Sequence, residues 1–562
     1  MNLPGRLNLK SQNFYLTPLF ALAIFENLIA ATWNVDPYHE GALFPTAVGL
    51  AEGLAPFKEI NQQYGFLGPL VVSLPLHLFG NYLIVQRLFG FFLTILIALL
   101  FFSYLKILTN KTVAEYITLI WMSISPIWSW SLDRNALSGG YWPNQLGTFL
   151  VLLGLLLLKR SRSAALLAGF FIFLSSQARV EFIFVWLFIS VAILIKEKEK
   201  RIFWAFGSSL SILVIFFYLM SNDSVSQWFE QTLLVWTMNP PDLVTIDAKF
   251  LILNLINFLA VSIIGVLLLA SAWGLMSKVR KVWISVFLQS VLVCIFLSIP
   301  RYLDFQIKIG RFDLVAPIKL AFTNTLFSFI NMTLLICFIL VCFLTWHKRP
   351  RLSQLFGLFD STQFALIGSC VGLLALFHNF NPDYTHMVWP IFASLMISLI
   401  PDLSKTRFAK MIKRASAIFA LALIVGSSCI FLTHLLEQVH PYRTPMLKGL
   451  YGNSTLQVEN LDSSFMVIDK QVKTQKVLMA CYTGLLSVST EGYLGVDEWS
   501  WNLQPKEMIS HRLDNMQKGN LVLACHLSSD EVARINYLQR EGLLKLIEKN
   551  NSFHLYRVSQ SF

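Results

Sequence analysis

Long apolar runs alternate with short polar segments along the first 433 residues. A helix needs about 20 apolar residues to cross a bilayer, so these runs predict membrane-spanning helices. About thirteen such spans are predicted, at residues 14–33, 83–105, 113–130, 144–158, 164–177, 180–195, 202–220, 250–275, 283–299, 320–345, 360–377, 387–401 and 415–433. The pattern therefore predicts an all-α polytopic membrane domain.

One apolar run does not fit this series. Phe66 to Phe79 is too short to span a bilayer, and it contains Pro69, Pro75 and His77. Irregular backbone is tolerated at membrane depth where protein or water covers it. We interpret the run as a helix that lies in the outer interface.

The pattern changes after residue 433. Charged and apolar residues mix there, with strand-like runs at 465–468, 476–480, 521–524 and 554–558 and a helical pattern at 528–538 that Ser529 and Asp530 can cap. We predict two domains, a transmembrane domain at 1–433 and a small α/β domain at 434–562.

Charge decides the orientation of this arrangement. Only 14% of the 562 residues are charged and 55% are hydrophobic, which excludes disorder, a disulfide scaffold and a soluble enzyme of this size. The net charge is +12, and the lysines and arginines cluster in alternate loops. This pattern indicates the cytoplasmic side of a membrane rather than a nucleic-acid partner. The N-terminus is predicted to be cytoplasmic and residues 434–562 extracytoplasmic, in a bacterial plasma (inner) membrane.

Cys481 and Cys525 of this domain can pair only if its compartment is oxidising.

The first outer loop has the highest density of candidate chemistry. Asp36, His39 and Glu40 lie within five residues, directly after the first span, and Tyr64 follows in the same loop at about 34–82. Ionisable groups at a membrane surface are costly unless they face a water-filled cavity, which favours a functional site. An ordinary solvated loop is the structural alternative.

This loop also resembles a known group of enzymes. Asp36-Pro37-Tyr38 is followed by a run of small residues, then by Gly53 with Pro56-Phe57, and by Tyr64-Gly65 before the interfacial run. The order resembles the GT-C superfamily of membrane glycosyltransferases, and within it the group of protein mannosyltransferases and lipid A aminoarabinose transferases. The resemblance covers about the first 150 residues.

The resemblance implies a GT-C-like fold and a transferase function. Such enzymes pass a sugar from a polyprenyl-phosphate carrier to an acceptor hydroxyl on a glycan, lipid or protein, outside the cytoplasm. It implies that Asp36 is the general base or the ligand of a divalent metal. Relatives often carry a second acid at the start of the fourth span, where this chain has Asn144. Glu40 is therefore the candidate for the second carboxylate, and His39 and Tyr64 are candidate substrate-binding residues.

The departing phosphate needs positive groups, which are rare on the predicted outer side. The candidates are Arg134, Arg179, Arg301 and Arg311, because guanidinium groups bind phosphate in a bidentate manner. Arginines that extend to the membrane interface are the alternative interpretation. Asp383 and His386, three residues apart in a later outer loop, are a candidate hydrogen-bonded pair in the same cavity.

Two other classes of protein share part of this pattern. A transporter or flippase usually has two related halves and polar residues in mid-membrane, whereas here the polar density lies in outer loops. A polymerase or ligase of lipid-linked glycans has the same topology and lipid substrate but lacks the acidic first loop. The sequence names neither the sugar nor the acceptor.

Overall fold

A computed structural model of the chain describes the first half almost continuously and the second half in part. The described residues are 16–33, 35, 39–60, 65–109, 111–131, 143–234, 390, 391, 394, 421, 424, 425, 428, 440–452, 458, 459, 461–463, 465, 466, 477–480, 488, 489, 492, 493, 495, 496, 518–524, 529–549 and 554–559. The predicted spans between 250 and 377 lie outside them.

Helices occupy most of the described first half. They are α1 (Leu16–Thr32), α2 (His39–Ala51), α3 (Leu67–Phe79), α4 (Leu83–Leu108), α5 (Lys111–Ser131), α6 (Pro143–Leu158), α7 (Ala164–Leu174), α8 (Ile183–Lys196), α9 (Arg201–Ser221) and the short α10 (Val225–Phe229). The first seven predicted spans coincide with α1 and α4 to α9, and the interfacial run forms α3. Two described helices, α4 and α9, have the length and composition to cross a membrane.

A pair of 3-10 turns separates α7 from α8. The turns are Ser175–Gln177 and Val180–Phe182, with Arg179 in extended conformation between them. We call residues 175–182 the elbow. The predicted spans 164–177 and 180–195 meet in this segment, and the chain leaves the α-helix at Ser175.

Opposite ends of the helices carry different charges. At one end Arg162 forms an ion pair with Glu199 at 2.6 Å, and Lys200 donates to the carbonyl of Leu158 at 3.1 Å. These contacts join the basic loop between α6 and α7 to the basic loop between α8 and α9. The other end holds α2, α3 and the elbow, as the charge pattern predicts for an outer face.

The helices pack closely where glycines allow it. A Cβ on Gly207 of α9 would lie 1.9 Å from the carbonyl oxygen of Leu166 in α7, and one on Gly154 of α6 would lie 2.4 Å from the Ile172 side chain. Small residues let backbones approach in this way in membrane helix pairs.

The second half contains a five-stranded mixed sheet. Its strands are β3 (Val477–Ala480), β6 (Gly495–Val496), β7 (Leu521–Ala524), β8 (Leu544–Lys549) and β9 (His554–Val558), in the order β6-β3-β7-β9-β8. The first three strands are parallel and the last two pairings are antiparallel. Helix α11 (Ser529–Arg540) connects β7 to β8, and two small ribbons pair β1 (His440–Pro441) with β2 (Tyr451–Gly452) and β4 (Val488–Ser489) with β5 (Gly492–Tyr493).

One predicted strand of this region is wrong. Phe465 and Met466, at the start of the run 465–468, are helical. Val458, Leu461 and Phe465 are buried at helical spacing in the core that includes α1 and α4, while Met466 is exposed. A short apolar run does not by itself distinguish strand from helix, and burial of this face decides for helix. The predicted strands at 476–480, 521–524 and 554–558 and the predicted helix are confirmed, and β8 was not predicted.

Candidate functional site

A buried arginine organises the end of the molecule that carries the acidic loop. Arg87 lies in the first turns of α4 and is fully buried. Its Nε and Nη2 donate to the two carboxylate oxygens of Glu40 at 2.6 and 2.8 Å. Its Nη1 donates to the carbonyls of Ala31 at 3.2 Å and Trp33 at 2.8 Å. We call this arrangement the Arg87 clamp.

The clamp connects two helix ends of opposite polarity. Ala31 and Trp33 lie at the C-terminal end of α1, where carbonyl groups are left without intrahelical donors. Glu40 lies in the first turn of α2, where a carboxylate interacts favourably with the positive end of the helix dipole. The guanidinium thus joins the residues that precede and follow segment 34–38, which contains Asp36. Asp36 itself lies outside the described residues.

A tyrosine from the C-terminal region lies beside the clamp. Tyr442 is buried in the same apolar core as Trp33 and Leu83. Burial raises the pKa of its hydroxyl to about 12, and the Arg87 and Glu40 charges act on that pKa in opposite directions. The Tyr442 hydroxyl is therefore neutral at physiological pH, next to the segment that carries Asp36.

Asp462 fixes the turn that follows Tyr442. Its carboxylate accepts hydrogen bonds from the amides of Arg443 and Thr444 at 2.8 and 3.0 Å and from the Thr444 hydroxyl at 2.7 Å. The next turn, Pro445–Leu447, contacts α4, and Tyr451 forms a β-bridge with Trp33. These contacts fasten the start of the C-terminal region to the loop end of α1 and α4.

The rest of the first outer loop is anchored to the residues that directly precede and follow α10. Phe57 is buried with φ of 63°, a left-handed conformation that is unfavourable for a bulky residue. Gln231 donates to the Phe57 carbonyl at 2.7 Å. Lys58 pairs with Asp223 at 2.7 Å, and this hydrogen bond raises the pKa of Lys58 and lowers the pKa of Asp223. Contacts on both sides therefore hold the loop in a strained backbone conformation.

The elbow forms a second buried charged group. Arg179 donates from Nε to Glu181 at 2.7 Å and from Nη1 to Asn144 Oδ1 at 3.1 Å. Asn144 is the second residue of α6. The guanidinium that was predicted to bind phosphate is thus already neutralised by Glu181.

The outer loop and the elbow are in direct contact. A Cβ on Gly65 would lie only 2.1 Å from the backbone oxygen of Gln177, so glycine is needed where the loop crosses the elbow. A Cβ on Gly147 of α6 would lie 2.2 Å from the Phe182 ring. The described geometry therefore gathers the loop, the start of α6 and the elbow at one end of the molecule.

Most predicted site residues fall outside the part of the chain that the structure describes. Glu40 and Arg179 are described fully and His39 by its backbone alone, at the first residue of α2. The others lie outside the described residues: Asp36, Tyr64, Arg134, Arg301, Arg311, Asp383 and His386. Their predicted roles stay predictions.

Sequence reasoning missed Arg87, Glu181 and Tyr442. Arg87 had a usable signal, because it stands with Gln86 inside a predicted span, and an ionisable residue there is a functional candidate. Tyr442 has no local signal, since its position depends on how the C-terminal region packs. Among the described residues no group of three His, Cys, Asp or Glu side chains could hold a metal ion.

Comparison with solved structures finds two similar chains, both of ArnT from Cupriavidus metallidurans. One is bound to undecaprenyl phosphate: it is 10% identical, the match covers 97% of this chain and 98% of that one, and the TM-score is 0.43. The other is the apo state, with 10% identity, coverage of 96% and 97%, and a TM-score of 0.41. ArnT is a lipid A aminoarabinose transferase, which is one of the groups that the first outer loop of this chain resembles.

Neither a family model nor a curated protein matches the chain.

Proposed function

We propose that the chain is an integral-membrane glycosyltransferase that moves a sugar from a polyprenyl-phosphate carrier to an acceptor hydroxyl on the extracytoplasmic face. The Arg87 clamp is the observation that supports this most directly. A fully buried guanidinium joins the last carbonyls of α1 to the first carboxylate of α2. Such a pair is costly to desolvate, and here it holds both ends of the segment that carries the predicted base.

In the proposed reaction Asp36 removes the proton from the acceptor hydroxyl. The acceptor oxygen then bonds to the anomeric carbon, the bond from that carbon to the phosphate oxygen breaks, and the polyprenyl phosphate leaves. A positioned general base typically contributes about 10²–10⁴-fold to the rate. If Asp36 instead holds a divalent metal, the ion would supply charge to the departing phosphate.

The clamp changes the roles proposed for the two acids of the loop. Both oxygens of Glu40 accept hydrogen bonds from Arg87 inside the protein, and a carboxylate held in this way is a poor proton acceptor. We therefore assign Glu40 to positioning and Asp36 to proton transfer. Because Arg179 is neutralised by Glu181, the phosphate charge falls to Arg134, Arg301 and Arg311 in the proposal.

Transfer assays on the Asp36→Asn variant test this function. Purified full-length protein in nanodiscs is given radiolabelled undecaprenyl-phosphate sugars and cell-envelope acceptors. Asp36→Asn keeps the size of the side chain and removes the base, so transfer should fall about 10²–10⁴-fold. Glu52→Gln, which removes an exposed carboxylate of the same outer segment, is the matched control and should transfer normally.

Two outcomes separate the alternatives. Loss of wild-type activity with EDTA and recovery with a divalent cation would assign Asp36 to a metal rather than to proton transfer. Near-normal transfer by Asp36→Asn at equal protein levels would rule out Asp36 as the base or metal ligand. Absence of transfer by the wild type would leave a transporter or a polymerase of lipid-linked glycans.

A further inference from the structure

The elbow and the start of α6 share a cluster of buried polar side chains that the proposed mechanism does not use. Arg179 connects two of its members, Asn144 and Glu181. Gln177 lies two residues before Arg179, and Thr148 lies one turn after Asn144 on α6. We call Asn144, Thr148, Gln177 and Glu181, together with Arg179, the elbow cluster.

Each of its four other members has one atom without a hydrogen-bond partner in the described part of the chain. These atoms are Asn144 Nδ2, Thr148 Oγ1, Gln177 Oε1 and Glu181 Oε2. Their side chains belong to residues that are 0%, 0%, 7% and 5% exposed. Buried polar atoms in folded proteins are nearly always paired, because an unpaired one retains its full desolvation cost. Four such atoms in one cluster indicate a polar ligand that supplies their missing hydrogen-bond partners.

The chemistry of the cluster selects the kind of ligand. The Arg179 charge is balanced by Glu181 at 2.7 Å, so the cluster offers little net attraction to an anion. The unpaired atoms are an amide donor, a hydroxyl that donates and accepts, an amide oxygen and a carboxylate oxygen. A mixture of donors and acceptors suits a ring that carries hydroxyl groups, each of which both donates and accepts, better than it suits a phosphate.

The position of the cluster agrees with such a ligand. Gly65, next to the predicted substrate residue Tyr64, packs on the Gln177 backbone. The cluster therefore adjoins the outer loop that carries Asp36, at the same end of the molecule. On the basis of the proposed function, we infer that the elbow cluster binds the sugar ring of the carrier-linked donor, and that Arg179 holds Asn144 and Glu181 in place rather than binding the carrier phosphate.

Isosteric apolar substitutions test this inference on the full-length protein. Thr148→Val removes an unpaired hydroxyl with little change of shape. Asn144→Leu removes the unpaired Nδ2 and also the Oδ1 that accepts from Arg179 Nη1. Thr118→Val is the matched control: its hydroxyl is equally buried and without a partner in the described residues, on α5, which packs against α1 and α4 instead. Affinity is measured in nanodiscs for bare undecaprenyl phosphate and for undecaprenyl phosphate that carries glucose, mannose or arabinose, together with the thermal midpoint of the ligand-free protein.

A sugar site gives a specific combination of results. Each elbow variant should bind its sugar-linked carrier about 3- to 10-fold more weakly, the range for one hydrogen bond, and bind the bare carrier like the wild type. In Thr148→Val and Thr118→Val the ligand-free thermal midpoint should stay level or rise, by about 1 °C, because a buried polar atom without a partner has been removed. In Asn144→Leu it should fall, because Arg179 Nη1 loses an acceptor. Thr118→Val should leave every affinity unchanged.

Other results overturn the inference. An equal loss for the bare carrier would assign the cluster to the phosphate, and unchanged affinity for the sugar-linked carriers would leave ordered water as its occupant. In both cases the wild type still binds the carriers, so the proposed function survives. A wild-type protein that binds none of the probes would remove the proposed function and this inference together.

Discussion

At the scale of single residues, the Arg87 clamp is unusual because its two partners belong to different helices and the whole arrangement is buried. Removal of one member of a buried ion pair typically costs about 3–5 kcal/mol, while replacement of both by apolar residues is often neutral. This asymmetry allows the structural role of the clamp to be separated from its role in the site.

We therefore expect different outcomes from single and double substitution. Arg87→Met and Glu40→Met should each destabilise the protein by about 3–5 kcal/mol. The double variant should recover most of that stability in thermal unfolding. It should not recover sugar transfer, since the hydrogen bonds to the Ala31 and Trp33 carbonyls are also lost and segment 34–38 is no longer held.

Hydrogen exchange gives a readout that needs no substrate. Amides of residues 33–40 should exchange faster in the double variant than in the wild type, although both are folded. The exposed pair Lys58 and Asp223 is the comparison, and its double replacement by Met should leave exchange at 33–40 unchanged. Recovery of both stability and transfer in the Arg87/Glu40 double variant would show that the clamp serves the fold alone.

At the scale of elements, hydropathy predicted the described helices well. The predicted span 83–105 is α4 at Leu83–Leu108, and the predicted span 144–158 is α6 at Pro143–Leu158. A 3.6-residue repeat and a bilayer's thickness constrain such helices locally. The contacts between them escaped prediction, because Glu40 and Arg87 are 47 positions apart and Asn144 and Arg179 are 35 apart. The sequence contains both members of each pair but does not show that they meet.

The packing of the outer loop on the elbow leads to a prediction about Gly65. A methyl group there would lie 2.1 Å from a backbone oxygen, which cannot rotate away, so Gly65→Ala should push the loop off the elbow. We expect transfer activity to fall at least 10-fold, on the order of the loss that a small misplacement of catalytic groups causes. Gly49→Ala is the control, because its new methyl group would meet side-chain atoms of Ile60 and Leu54, which can shift, and no backbone atom. Equal activity in the two variants would contradict the described contact.

At the scale of the whole molecule, the C-terminal region and the outer loop must lie on the same side of the membrane. Tyr442 is buried beside Arg87 and Glu40, and Tyr451 bridges Trp33. The basic connections between α6 and α9 lie at the opposite end of the helices. Charge alone predicts which of these ends is cytoplasmic. The packing predicts that the C-terminal region lies at the opposite end, with the outer loop.

Cysteine labelling of right-side-out spheroplasts tests both statements in one experiment. In a variant that lacks the seven native cysteines, Ser161→Cys places a thiol at the exposed basic end. Met466→Cys places one in the C-terminal region, where the native side chain is 67% exposed. A membrane-impermeant maleimide should label position 466 in intact spheroplasts and position 161 only after lysis. The reverse pattern would contradict the charge-based orientation and leave the packing intact. Labelling of both positions from the outside would contradict the arrangement of the two ends, and with it the assignment of the Arg87 clamp to an outer site.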